Sequence, residues 1–273
     1  NHPDLNGVFL TSLGFNTASD NNVWSPVASH GTLVAGTIGA LVNNAAGIAG
    51  TAWGAKIIPI RVTNSADGNA YTSDIVECIT YAANHGAKVI NVSYSMGDVG
   101  SRISASNYAE SKGAIVVNSA GNSGSDLGYA DAESTIFVSA TNKFDALTSF
   151  SSFGNYVDIA APGEEILTTD LNGGYAYVAG TSFSSPITAG VAALIWAKNP
   201  TASVTTVKQI LYSSVDDLGS IGEDIYYGRG RVNACKAVYG ASASECVGFG
   251  KNLSANLTEK NATYYFSYPI PGN

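Results

Sequence analysis

Basic residues, cysteine and histidine are all scarce in this chain, and each scarcity removes a class of function. Lys and Arg account for 13 of its 273 residues against 21 Asp and Glu, a formal net charge of -8 at pH 7. A chain of that sign draws neither a nucleic-acid backbone nor an anionic membrane surface to itself. No run of 18 apolar residues occurs, so no segment reads as a membrane-spanning helix. The three cysteines, Cys78, Cys235 and Cys246, show no Cys-x-x-Cys spacing and no accompanying paired histidine. That argues against a thiolate metal site. Cys78 sits in a helical stretch beside Ile75, Ile79 and Ala82 and reads as a buried free thiol. Cys235 and Cys246 close a short loop; they either form a disulfide, which would fit an oxidising compartment, or remain two thiols.

What is present is a globular composition. Hydrophobic residues make up 45% and charged residues 12%, with 30 glycines for tight turns and close helix packing. Such a chain has a large core and is not disordered. The pattern predicts strands over 56–62, 88–95, 114–120, 135–140 and 156–160. It predicts helices over 30–41, 72–84, 101–111, 182–198 and 204–214. The strands are continuous Val/Ile runs without alternation, so both of their faces are buried. With helices between them, they imply an α/β fold, a three-layer α/β/α sandwich around a mainly parallel sheet. Functional loops then belong at the C-terminal ends of the strands.

The character changes after Tyr239. Gly240-Ala241-Ser242-Ala243-Ser244 is linker-like, and the rest carries Asn-x-Ser/Thr sequons at Asn252, Asn256 and Asn261 and the run Tyr264-Tyr265-Phe266-Ser267-Tyr268. The division is therefore a domain over 1–239 and a segment over 240–273, either an extension packed on the domain or the start of another. Asn91-Val92-Ser93 is a further sequon match, set aside because its strand is predicted to be buried.

Three segments carry chemistry. Gly180-Thr181-Ser182-Phe183-Ser184-Ser185-Pro186 puts a serine in the first turn of a helix of small apolar residues. Backbone N–H groups are unpaired there and the dipole end is positive, a suitable place to generate and hold an oxyanion. On this segment alone an ordinary Ser/Thr cap explains it equally well. Ser29-His30-Gly31-Thr32-Leu33-Val34-Ala35-Gly36 also opens a small-residue helix, with a histidine at its start. Of the three histidines, His85 suits a helix C-terminus and His2 precedes a proline, so only His30 is placed like a general base. Ala114-Ile115-Val116-Val117-Asn118-Ser119-Ala120-Gly121-Asn122 is a buried strand running into a small-residue loop, where Asn122 is a candidate side-chain oxyanion donor.

Together these segments resemble the subtilase (subtilisin-like serine peptidase) family: three motifs, in the order His, Asn, Ser, over most of the chain from His2 to about Tyr239. The Gly-x-Ser-x-Gly elbow of α/β-hydrolases does not fit, because Ser184 stands where its second glycine is required. The resemblance implies that Ser182 is the nucleophile, His30 the general base and Asn122 the oxyanion donor of a secreted, monomeric endopeptidase acting on proteins or peptides. Leu33, Phe183, Ser185 and Ile187 differ from the family's commonest residues, and none of these changes removes a catalytic group.

The resemblance also implies a third group. Subtilases orient the histidine with an aspartate at the end of the first core strand, shortly before a His-Pro-Asp-Leu stretch. This chain begins Asn1-His2-Pro3-Asp4-Leu5, so the expectation is an N-terminally truncated sequence whose aspartate precedes Asn1. Asp4 matches a different family position and Asp20 lies in a polar loop. Loss of that acid alone lowers kcat by about 10⁴-fold, so the chain is expected to be nearly inactive by itself. The rival expectation is a catalytically dead domain that binds or scaffolds.

For the substrate, the resemblance implies an extended peptide lying against Ser93-Tyr94-Ser95. Ser119-Ala120-Gly121 would form the second wall of the P1 pocket, and Tyr94 and Ile75 would line a more distant apolar one. Small wall residues predict bulky apolar P1 side chains. A carboxylate of Asp126, Asp131 or Glu133 turned into the pocket would favour basic ones instead. The loop 42–48 resembles the family's structural calcium loop. The implied Ca²⁺ ligands are the Asp4 carboxylate, the Asn44 side chain and the carbonyls of Val42, Ala46 and Ile48, a donor set suited to an oxygen-seeking ion.

Overall fold

A computed structural model describes residues 2–95 and 99–240 of the chain. The chain runs β1 (Phe15–Asn16), α1 (His30–Gly39), β2 (Ile60–Arg61), α2 (Thr72–Asn84), β3 (Val89–Val92) and α3 (Val99–Ser111). It continues with β4 (Ile115–Ser119), β5 (Thr135–Thr141), β6 (Ile159–Pro162), β7 (Ile166–Thr169) and β8 (Tyr175–Val178). The C-terminal helices are α4 (Thr181–Lys198), α5 (Val204–Ser213) and α6 (Ala234–Tyr239).

Strands β3-β4-β5-β6 form one sheet, parallel throughout, with Val89↔Ile115, Val116↔Thr135 and Val138↔Ile159 in register. Strands β1 and β2 form a separate parallel pair. The fold is the three-layer α/β/α sandwich that the uninterrupted Val/Ile runs imply. Successive side chains of a strand point to opposite faces. Accordingly Ile115, Val117, Ile136, Val138 and Ile159 join the core beneath α4 and α5, while Ile90, Val92 and Val116 join the core beneath α2 and α3. Ile115, Val117, Ile136, Val138 and Ile159 are completely buried.

Differences from the sequence reading fall at edges and surfaces. The strand predicted over 56–62 pairs as a strand only at Ile60–Arg61, with an isolated parallel bridge Phe9↔Ile57 before it. The antiparallel hairpin β7–β8 and the short helix α6 escape the periodicity argument. The hairpin nevertheless matters to the site. Thr168 Oγ1 donates to Leu33 O at 2.6 Å and Thr169 Oγ1 to Thr32 O at 2.8 Å, so β7 braces the first turn of α1. Gly36 permits that approach, since a Cβ there would collide with both threonine hydroxyls. Cys235 is disulfide-bonded, Cys78 has a free thiol that burial pushes up to about 12, and Cys246 lies outside the described residues. The sequons at Asn252, Asn256 and Asn261 and the aromatic run over 264–268 also lie outside them. No described helix is long and apolar enough to cross a membrane.

Candidate active site

Ser182 is the second residue of α4, half-buried, two residues beyond the positive-φ turn at Gly180 (φ 145°). Pro186 follows four residues later and lacks the N–H that a helix would aim at the Ser182 carbonyl. That carbonyl is satisfied from outside the helix: Ser93 Oγ donates to it at 2.8 Å. Asn91 Nδ2 donates to Ser93 Oγ at 2.9 Å, and Ser185 Oγ donates to Asn91 Oδ1 at 2.7 Å. A relay of four side chains and main-chain groups thus ties the start of α4 to the C-terminal end of β3. The half-buried Asn91 side chain is committed to this relay.

Asn122 is held on the other side. Its Oδ1 accepts from the Thr181 backbone N–H at 2.9 Å and from Thr181 Oγ1 at 2.8 Å. The Thr181 N–H can only donate, which fixes the carboxamide with its oxygen inward. Among the described residues no hydrogen bond takes up the Nδ2 donors of Asn122, which is exposed. A Cβ on Gly180 would lie 3.5 Å from Asn122 Nδ2 and 3.7 Å from Ser182 N, which places those two donors in one small region. Two fixed N–H donors beside a hydroxyl are what stabilise the oxyanion of an acyl-transfer intermediate.

His30 is the first residue of α1 and half-buried. Its ring lies edge-on to Phe183 at 5.9 Å and to Tyr94 at 6.0 Å between centroids. Phe183 in turn packs with Leu33 and Val34 of α1, so adjacent residues bring the two helix starts together. Burial lowers the His30 pKa below its usual value. Loss of hydration disfavours the imidazolium, so the ring is neutral, as a proton acceptor must be. Among the described residues no carboxylate or other group hydrogen-bonds the ring.

The parallel register Val92↔Asn118 sets Ser93-Tyr94-Ser95 alongside Ser119-Ala120-Gly121, as the proposed walls require. Ser119 Oγ donates to Tyr94 O at 3.4 Å across the gap. Tyr94 packs on the cluster that contains Ile75, and its hydroxyl donates to Gly68 O at 3.1 Å. Of the acidic residues, Asp126 accepts from Gly128 N at 2.8 Å within its own loop, and Asp131 exerts its charge on Asp158 and Tyr212.

The sequence reading places Ser93 in the wall but misses its bond to the nucleophile helix; the Ser182-x-x-x-Pro186 spacing carries that signal, because the proline orphans the serine's carbonyl. It also misses Thr181 as the anchor of Asn122 and Arg102 beneath Tyr94. An arginine on a helix of small polar residues offers no such signal by itself.

Around the expected cation loop, Asp4 is completely buried. Its carboxylate accepts from Asn44 Nδ2 at 2.7 Å, Ile48 N at 3.0 Å and Tyr175 Oη at 2.9 Å, all neutral donors. Asn43, Ala45 and Gly47 have φ of 58°, 57° and 37°. Left-handed backbone at asparagine and alanine costs energy and is retained where a tight loop must turn its carbonyls to one side. A buried carboxylate with no basic partner among the described residues, beside a loop with left-handed backbone at Asn43 and Ala45, fits Ca²⁺ in its donor chemistry. The carbonyls of Val42 and Ala46 belong to that loop, and Ala46 N donates to Asn44 Oδ1 at 3.3 Å.

Comparison with known proteins shows the family to which the chain belongs. The subtilase family (Peptidase S8) model matches residues 1–230. The thermophilic serine proteinase of Bacillus sp. (strain AK1) is 38% identical over 242 residues, 87% of this chain and 58% of that one. Thermitase of Thermoactinomyces vulgaris is 38% identical over 242 residues, 87% of this chain and 84% of its own. The crystal structure of the epidermin leader peptide processing serine protease of Staphylococcus aureus superimposes with a TM-score of 0.75 at 27% identity. It covers 89% of this chain and 73% of that one.

Proposed function

Because the chain belongs to the subtilase family, we propose that it is the catalytic domain, over 1–239, of a secreted serine endopeptidase that cleaves through an acyl-enzyme. Ser182 Oγ attacks the scissile carbonyl as His30 accepts its proton. The oxyanion is held by Asn122 Nδ2 and the Ser182 backbone N–H, and water then releases the acyl group. The observation that carries this reading is Asn122, locked oxygen-inward by Thr181 so that its free donors share a region with the Ser182 N–H. The disulfide at Cys235 suits an oxidising compartment.

A histidine base needs a carboxylate, and in our reading a parallel strand seated between β2 and β3 brings it. Among the described residues β2 pairs only with β1 and β3 only with β4, so their facing edges are open. A channel of ≈ 1330 Å³ runs along these edges, lined by Ile60, Val62, Ile90 and Val92, with Ala189 and Ala193 of α4 on one side. Ser93, Tyr94 and His30 border the same channel. A strand running parallel to β3 therefore delivers its C-terminal residue beside His30.

Small residues at Ser119-Ala120-Gly121, and an Asp126 carboxylate engaged by Gly128 N within its own loop, support a bulky apolar P1 preference. The ratio of kcat/KM for Phe against Arg at P1 tests it, and a strong Arg preference overturns it. A structural Ca²⁺ on Asp4 and the loop 42–48 completes the reading. Full occupancy at 100 times Kd would add about 2.7 kcal/mol to stability. Chelation should therefore lower Tm by several degrees, and an unchanged Tm counts against the site.

Hydrolysis of a peptide anilide, with Ser182→Ala as control, tests the function. Slow turnover by the chain and fast turnover once a carboxylate-bearing strand is supplied are expected. A fast chain without such a strand contradicts the role given to it. No turnover in either form favours the alternative reading, a binding or structural module.

A further inference from the structure

Behind the edge Ser93-Tyr94-Ser95 lies a buried guanidinium. Arg102, near the start of α3, is 2% exposed. Its Nη1 donates to Ser95 O at 2.6 Å, and its Nη2 to Asn118 Oδ1 at 2.6 Å and to Tyr94 O at 3.5 Å. Asn118, 1% exposed on β4, extends the unit: its Nδ2 donates to Ser119 O at 2.7 Å and to Tyr94 O at 3.3 Å. One guanidinium and one carboxamide thus hold carbonyls on both proposed walls of the substrate cleft.

An apolar side chain would fill this helix position at less desolvation cost. Burial, partly offset by Tyr129 and Cys78, pulls the Arg102 pKa down to about 10, and its Nε has no hydrogen-bond partner among the described residues. What an apolar side chain cannot do is fix two consecutive carbonyls with a rigid planar fork. The α3 helix, rather than the sheet, supplies that fork, because β3 ends at Val92 and Tyr94 and Ser95 lie beyond its pairing with β4.

The geometry points to Arg102 as a positioning residue that sets the main chain of Tyr94 and Ser95 as an edge for extended substrate. Its effect should grow with the length of peptide lying along that edge. The inference rests on the reading of 93–95 as the substrate edge, and the experiment keeps the two apart.

The affinities of acetyl-Phe and succinyl-Ala-Ala-Pro-Phe, both as free carboxylates, are measured by titration on the 273-residue chain, so no turnover is needed. The longer ligand should bind more tightly to the unsubstituted chain; if it does not, the edge reading fails. With that advantage established, Arg102→Leu should weaken the tetrapeptide by about tenfold, the scale of one charge-assisted hydrogen bond, and acetyl-Phe by less than twofold. Arg102→Lys, which keeps the charge but not the fork, should fall between, and it serves as the test if the leucine variant does not fold. Equal weakening of both ligands, or of neither, overturns the positioning role.

Discussion

Ser182 and Asn122 stand where the four-stranded sheet, α4 and the 119–122 loop meet: Ser93 Oγ holds the Ser182 carbonyl, and Thr181 holds Asn122 Oδ1 with two hydrogen bonds. His30 stands at the head of α1 beside the open edges of β2 and β3, held by ring contacts and with its nitrogens unbonded among the described residues. The difference teaches where the reaction's cost is met. In the proposed reading, the nucleophile and oxyanion side is organised by hydrogen bonds from Ser93 and Thr181, whereas the base side would take its carboxylate from a further strand. Electrostatic stabilisation needs donors fixed before the reaction, whereas a base needs its proton affinity set by a neighbour.

The comparison can be broken or sharpened in four ways. Extending the N-terminus with an apolar strand that ends in aspartate should raise kcat on a peptide anilide by about 10⁴-fold. The same strand should raise the His30 pKa, followed by NMR, because an adjacent anion favours the imidazolium. A strand ending in asparagine should do neither. Next, Asn122→Ala in the extended protein should lower kcat by about 10²–10³-fold with little change in KM. A loss below tenfold argues against the oxyanion role.

The third effect is on stability. Ser93→Ala leaves the Ser182 carbonyl orphaned above Pro186, at a cost of about 1–3 kcal/mol by urea unfolding. Ser93→Thr, which keeps the hydroxyl, should restore part of it. The last change should leave the site untouched. Asp158, with Phe137 N, Tyr212 and Arg229 around it, has its pKa pushed up to about 7, because burial outweighs those partners. The unfolded chain gives up this proton near 3.8, so the native state binds more protons between about 4 and 7 and the group's contribution to stability falls as pH rises through that window. Asp158→Asn should remove that slope, measured as unfolding free energy at pH 5 and pH 8, with kcat unchanged.

The parallel sheet was legible because buried parallel strands read as unbroken Val/Ile runs, as in Ile115-Val116-Val117 and Thr135-Ile136-Phe137-Val138; its strand order was not. α2 was legible to the residue, since apolar spacing and the His85-Gly86 stop mark both of its limits. The hairpin β7–β8 was not: six of its eight residues are β-branched or aromatic, but each strand is only four residues long, too short for a period to show. In the site, serine, histidine and asparagine were legible as residue types at helix and strand ends. Their supports were not: Thr181 reaches Asn122 across 59 positions of sequence, Asn118 reaches Tyr94 across 24 and Arg102 reaches Asn118 across 16, which no local pattern encodes.

The most direct test of the central claim is the rate at which a fluorophosphonate labels the chain, read by intact mass. One adduct on Ser182 is predicted, formed slowly by the chain alone and far faster when the aspartate-ended strand is present. Equal rates with and without that strand, or labelling that survives Ser182→Ala, would contradict the account.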